Sequence, residues 1–292
     1  MRVRDIFYQL MGLAGQSFKL PSRGTVIAYH GVPNPEQFRK QLEFLARNFS
    51  ILGFDHFIEA VNNKAFHDKP PLLLTFDDAD YSFYQNGFPL LKEMKLPSVL
   101  FVITELIGTK KPFWWKRVEM EYKKKGVDHA EARAKVKSLK EMKNAERVVE
   151  LDAMEDFESR QVALDELTEM SQSGVMIANH SHTHPMFSKC ESDEIIEELQ
   201  QVKANFEQWG IGRYDVFAYP NGSWDKVSEE VMKKQGIKYA FLFDHQLIKD
   251  FHPMRISRIR LDTDDSMAEL KAKVFGLHSW VLSKTNKKLF ER

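Results

Sequence analysis

The sequence predicts an α/β fold in which parallel strands close into an irregular (β/α) barrel. Seven short apolar runs recur along the chain, at Thr25–Tyr29, Leu72–Phe76, Ser98–Ile103, Val175–Ala178, Asp215–Tyr219, Tyr239–Phe243 and Ile256–Leu261. Helical patterns lie between them, and strands alternating with helices imply parallel pairing through right-handed crossovers. Seven such units in 292 residues suit a barrel, with an open doubly wound sheet as the alternative.

Each element has its own warrant. The strand candidates are too short for most helices and several are apolar at nearly every position, the pattern of strands buried on both faces. Helices are expected at Pro35–Asn48, Gly87–Met94, Asp193–Trp209 and Ser228–Gln235. In Asp193–Trp209 the apolar residues Ile195, Ile196, Leu199, Val202 and Phe206 form a helical stripe behind a Ser/Asp start. One stretch breaks the alternation. Of the 54 residues in Lys116–Glu169, 26 are charged, and no proline interrupts them. Lys123–Arg147 carries nine basic and four acidic residues, and Val148–Glu169 eight acidic and one basic. Two helices of opposite charge folding back on each other satisfy both halves. We therefore expect one barrel domain, with its core at about 24–111 and 166–276 and a helical insertion at 112–165. The insertion is either a solvated helix pair or a lid or docking surface.

Composition narrows the function. Lys plus Arg and Asp plus Glu each number 42, so no excess positive charge favours nucleic acid. An apolar share of 43% is enough for a sizeable core. The single Cys190 excludes an internal disulfide and a multi-Cys zinc site, and fits a reducing compartment. No stretch reaches the ~18–20 apolar residues of a membrane span. Met1–Leu20 is a poor signal peptide, so a cytoplasmic chain is expected, with this segment packing on the domain or resting on a membrane surface.

Chemistry concentrates at two strand ends. Leu72-Leu-Leu-Thr-Phe-Asp77-Asp78-Ala79 sets two carboxylates where barrel enzymes place their working groups. Adjacent residues on a strand point to opposite sides, so one can bind a cation while the other faces a reactant. A solvated turn or helix N-cap is the alternative. Asn179-His180-Ser-His182-Thr-His184-Pro185 packs three of ten histidines into five residues. The four-residue spacing of His180 and His184 can bring two imidazoles to one metal. Two imidazoles and a carboxylate make an open divalent site, suited to Zn²⁺ or another first-row ion acting on an oxygen-rich substrate.

These motifs, followed by Phe217-Ala-Tyr-Pro-Asn-Gly222, resemble the polysaccharide deacetylase family, the NodB-homology carbohydrate esterases, in a Phe-Ala-Tyr-Pro branch. Ala28-Tyr-His-Gly-Val32 and Pro97–Val102 are similar to the family as well, and the likeness runs from about Thr25 to Gly276 without the charged stretch. The resemblance implies a distorted (β/α)7 barrel and a hydrolase that removes acetyl groups, N-acetyl first, from an amino-sugar glycan or its precursor. It implies one divalent ion, Zn²⁺ ahead of Co²⁺, Ni²⁺ or Mn²⁺, held by Asp78, His180 and His184, with Asp77 as catalytic base. Asn221 then lends its backbone N–H to the oxyanion, and Tyr219 and Pro220 line the substrate.

Four departures from the family pattern stand out. Ala79 replaces a glycine, Ala218 sits where many members carry an arginine that tethers the catalytic Asp, and Asn221 replaces a tyrosine. The Leu-x-His motif of the general acid is missing; His278 falls in a helical stretch, and His245, just past a strand end, is better placed. Arg258 and His30 also lie on the expected face, where they are expected to line the substrate, and Arg258 can take over the tethering of Asp77. Phe113, Trp114, Trp115 and Trp224 can stack on sugars or serve as packing. The competing functions are a degenerate carbohydrate- or metal-binding barrel and a metallohydrolase acting on another C–N bond. The expected partner is an acetylated carbohydrate, with no nucleic acid and no integral membrane segment.

Overall fold

The computed structural model describes residues 24–63 and 69–279. The strands are β1 (Thr25–Tyr29), β2 (Ser50–Ile51), β3 (Pro71–Phe76), β4 (Ser98–Val102), β5 (Val175–Asn179), β6 (Arg213–Ala218), β7 (Tyr239–Phe241) and β8 (Ile259–Arg260). They form one sheet in the order β7-β6-β5-β4-β3-β1-β8, with β2 paired to β3 and every pairing parallel. The sheet curls until its ends meet over one short segment. Ile256 bridges Phe241 of β7, and three residues later Ile259 pairs with Ile27 of β1. The expected seventh strand, Ile256–Leu261, is therefore the piece that closes the ring.

Side-chain alternation explains why these runs are apolar on both faces. Ile27, Tyr29, Leu72, Leu74, Phe76, Leu100 and Val102 pack outward with α1 (Pro35–Asn48) and α8 (Ser192–Trp209). Val26, Leu73, Val99, Phe101, Val216, Ala218, Phe241 and Ile256 share a second cluster, the barrel interior. Phe54, Phe57, Ile58 and Val61 of α2 (Phe54–Asn63) join that cluster and plug one end. The remaining barrel helices are α3 (Phe88–Met94), α7 (Leu164–Gln172), α9 (Lys226–Lys234) and α10 (Met267–Val274).

The charged stretch folds as three helices where two were expected: α4 (Trp114–Lys124), α5 (His129–Glu141) and α6 (Asn144–Asp152). The basic half is cut by Gly126 at φ +71, followed by Asp128, whose carboxylate caps α5 by accepting from Ala130 N–H. Val118, Val136, Leu139 and Leu151 make a small core of their own. The opposite charges do meet, in Lys135–Glu150 at 2.7 Å, Arg117–Asp156 at 3.0 Å and Lys124–Glu155. Among the described residues no helix is long and apolar enough to cross a membrane. The reading of Met1–Leu20 falls outside the described residues.

Candidate active site

The first motif leaves β3 with its backbone still held by the sheet. Asp77 N–H donates to the Tyr29 carbonyl, so His30, just past β1, and Asp77, just past β3, emerge side by side. The chain then turns through two left-handed residues, Asp78 at φ 71 and Ala79 at φ 58. The Ala79 methyl is accommodated by burial in the outer core, at a conformational cost of order 1 kcal/mol.

Asp77 is clamped from behind. Arg258 grips both carboxylate oxygens, at 2.7 and 2.8 Å, and also donates to Thr75 Oγ1 and the Leu242 carbonyl. Its guanidinium lies against the rings of Phe101, Phe241 and Phe243. Burial alone raises the Asp77 pKa, but Arg258 and His180 together hold it below the usual carboxylate range. With no exposed surface, Arg258 does not face the substrate as one of its expected roles required; it fulfils the other, as the tether of Asp77. The arginine missing at Ala218 is thus replaced from the far end of the chain.

The second motif is a loop shaped by its own polar groups. Asn179 Oδ1 accepts from Ser181 N–H, and Ser181 Oγ accepts from His184 N–H, which lets Ser181 and His184 hold φ values of 67 and 61. Glu198, buried on α8, accepts from the N–H groups of His182 and Thr183 and from the Thr183 hydroxyl. The middle histidine turns away, its Nδ1 2.9 Å from Thr104 Oγ1. His180 and His184 turn toward Asp78, with Nε2 atoms 3.2 and 3.5 Å from its Oδ1.

These three residues fit a cation. One ligand atom from each lies within 4.8 Å of the others, and all three side chains are buried. Asp78 Oδ1 has no hydrogen-bond partner, an orphaned charge that a metal ion satisfies. His180 Nδ1 sits 2.9 Å from the Ala218 carbonyl, which leaves Nε2 as the free donor. Burial raises the Asp78 pKa, but the adjacent imidazoles, His180 foremost, reverse this and hold it below the usual carboxylate range. Burial drives the His184 imidazole down to about 3, so it stays neutral as a ligand must. At His180 burial also lowers the pKa, and the two aspartates reverse this to a net rise.

The third motif follows β6 into a turn at Pro220–Gly222, in which Asn221 takes φ 55. Asn221 is exposed and its Oδ1 accepts from Lys140 Nζ at 2.8 Å. Tyr219 and Pro220, expected at the substrate, are buried instead. Tyr219 packs with Phe187, Phe217 and Met232, and its hydroxyl donates to the Met254 carbonyl. Strand alternation explains this, since Tyr219 follows the sheet register and points into the helix layer. Trp224 is covered by the Arg255 guanidinium, 5.0 Å from its ring.

The two histidines considered for proton delivery separate. His30 is half-buried, its Nδ1 lacks a partner, and its ring packs edge-on against Phe243 at 5.1 Å. His245 packs on Phe243 at 4.9 Å, and the groups acting on it are Arg260, Lys273, Asp262 and His30 rather than the aspartate pair. Burial and those cations hold His245 down to about 4. The sequence reading missed Lys140, which reaches the site from α5, and Glu198, whose position i+16 after His182 carries no short-range signal.

The polysaccharide deacetylase family model matches residues 64–240. A poly-β-1,6-N-acetyl-D-glucosamine N-deacetylase of Staphylococcus aureus is 25% identical over 247 residues, covering 83% of this chain and 71% of that protein. Among solved structures, IcaB from Ammonifex degensii superposes with a TM-score of 0.64 at 19% identity, over 88% of this chain and 99% of that one. The Streptococcus pyogenes deacetylase PplD, in complex with acetate, gives 0.62 at 19% identity over 87% and 99%. Both share the curled parallel sheet described above.

Proposed function

The chain belongs to the polysaccharide deacetylase family, and from that premise we propose that it hydrolyses the N-acetyl groups of an amino-sugar glycan, with β-1,6-linked N-acetylglucosamine as the first substrate to test. The observation that carries this is the orphaned Asp78 oxygen facing two imidazoles, with a second carboxylate clamped beside it. Asp78, His180 and His184 would hold the divalent ion. Two nitrogen donors and one oxygen donor favour Zn²⁺ over harder cations. When bound, such an ion lowers the pKa of water and polarises an acyl oxygen.

The protein's own groups then have distinct work. Asp77, kept ionised by Arg258, accepts the proton of the attacking water. The Asn221 backbone N–H, in its left-handed turn, is the donor for the developing oxyanion. His30, rather than His245, delivers the proton to the departing amine, because it stands beside Asp77 whereas His245 sits away from the aspartate pair. Loss of acetate and release of a free amine complete the reaction.

The test is amine release from β-1,6-linked N-acetylglucosamine oligomers by the metal-loaded protein. Chelation should abolish it. Asp77→Asn should keep the metal and lose roughly 10²–10⁴-fold in kcat, the scale of a positioned base. His180→Ala should lose the metal and keep a cooperative melt. Turnover that survives both chelation and Asp77→Asn would refute the proposal.

A further inference from the structure

The two imidazoles facing Asp78 are held by different means. His180 has a polar partner, the Ala218 carbonyl, at its second ring nitrogen. A metal-binding imidazole normally takes its orientation from such a bond. His184 has none, since its Nδ1 is buried and unpartnered.

What packs on His184 instead, besides the His180 ring 4.9 Å away, comes from the helical insertion at 112–165. The Trp115 indole lies 4.8 Å from the imidazole, centroid to centroid and tilted by 53°. Next to it, Trp114 Nε1 donates to the His184 carbonyl at 3.3 Å, where the backbone holds its left-handed turn. Trp115 is itself fixed: it stacks on Phe113 at 4.9 Å and 9°, and Phe113 is buried with Ile103 and Leu106 just past the end of β4. A continuous packed path therefore runs from the barrel, through the indole, to the ring of His184. The segment is also pinned on either side of this contact, by Lys116 to Asp80 at 3.0 Å and by Lys140 to Asn221 at 2.8 Å. It thus meets the loops of all three motifs.

We infer that Trp115 is a positioning residue for His184, and that the charged segment is through it a structural part of the metal centre. The flat indole limits rotation of the imidazole as the Ala218 carbonyl does for His180. Packing restrains a ring without polarising it, so the effect falls on how firmly the ion is held and leaves the ligand set unchanged. This inference rests on the reading of Asp78, His180 and His184 as metal ligands.

The experiment measures Zn²⁺ affinity and release rate by chelator competition, with the melt of each metal-free protein alongside. Trp115→Ala should bind Zn²⁺ about 10–100-fold more weakly, the usual cost of losing a group that orients a ligand. Trp115→Phe, which keeps a flat face, should recover most of the loss. Undiminished Zn²⁺ affinity in a folded Trp115→Ala protein overturns the inference. Should that variant not fold, Trp115→Leu decides, because it fills volume without a flat face; wild-type affinity there is equally fatal. If the wild-type protein takes up no Zn²⁺, the metal reading itself fails. Uptake abolished by His180→Ala but untouched at Trp115 removes only the positioning role.

Discussion

Replacing Arg258 by Met isolates what the clamp on Asp77 does. The guanidinium makes two bonds to the carboxylate at 2.7 and 2.8 Å in a box of phenylalanine rings. Removing one partner of a buried pair strands the other charge and costs about 3–5 kcal/mol. At about 2–4 °C per kcal/mol for a large domain, the melt should fall by roughly 6–20 °C. The pH dependence gives a second handle. In the wild type the Asp77 pKa is depressed, so the pair stabilises the fold above the ordinary carboxylate pKa of about 3.9. That contribution is lost as pH falls through the depressed value. In Arg258→Met the buried carboxylate loses its main cation, with His180 left as the lesser one, and burial pushes its pKa up instead. Its charge then costs stability at neutral pH, and the cost disappears as pH falls through the raised value. The gap between the two metal-free proteins should therefore narrow from pH 7 toward pH 4. Adding Asp77→Asn to Arg258→Met should restore part of the lost stability at pH 7. A deficit under about 1 kcal/mol, the scale of an exposed pair, or one that ignores pH, would mean that the pair does not carry the site.

Further outcomes follow from the same geometry. His30→Gln should lower kcat by roughly 10²-fold or more with KM little changed, whereas His245→Gln should leave kcat near wild type; equal losses in stopped assays of amine release would undo the choice between them. Glu198→Ala removes three bonds to one buried carboxylate. At about 1.5–3 kcal/mol per charge-assisted bond it should cost roughly 4.5–9 kcal/mol in chemical denaturation, and a loss below 1 kcal/mol would show that the loop holds itself. Burial pushes the Cys190 thiol up to about 12. At pH 7 its alkylation by iodoacetamide should be on the order of 10³-fold slower than for an ordinary thiol, and rapid labelling of the folded protein would contradict its raised pKa in this half-buried setting.

The sheet was legible because its strands are buried on both faces. Thr25–Tyr29 and Ser98–Val102 read as short, nearly continuous apolar runs, the form of a strand covered on both faces. The helix at Phe54–Asn63 carries a usable signal, apolar residues at 54, 57, 58 and 61, but its run of only ten residues is weaker than the patterns on either side. Ser50–Ile51 had none, since two residues define no period. In the site, the Asp pair and the His loop were legible because local spacing alone presents them. Tyr219 was misread because a residue next to a motif is not on its face; alternation sends it into the helix layer. Lys140 and Glu198 reach the loops from other elements, and contacts 81 and 16 residues apart leave no local trace.

The segment that closes the ring has a consequence for how the chain matures. Asp77 and Arg258 are 181 residues apart, which at about 5–20 residues per second of synthesis is a lag of roughly 10–40 s. Through that interval the carboxylate lacks the guanidinium that clamps it, and a charge without its partner resists burial. The barrel interior around Phe101 therefore stays wet, and the facing edges of β1 and β7 stay open to strand addition, until Ile256–Arg260 arrives. Sealing of the ring and preparation of Asp77 are one event, so a nascent chain that lacks its last segment has neither a dry core nor a working base.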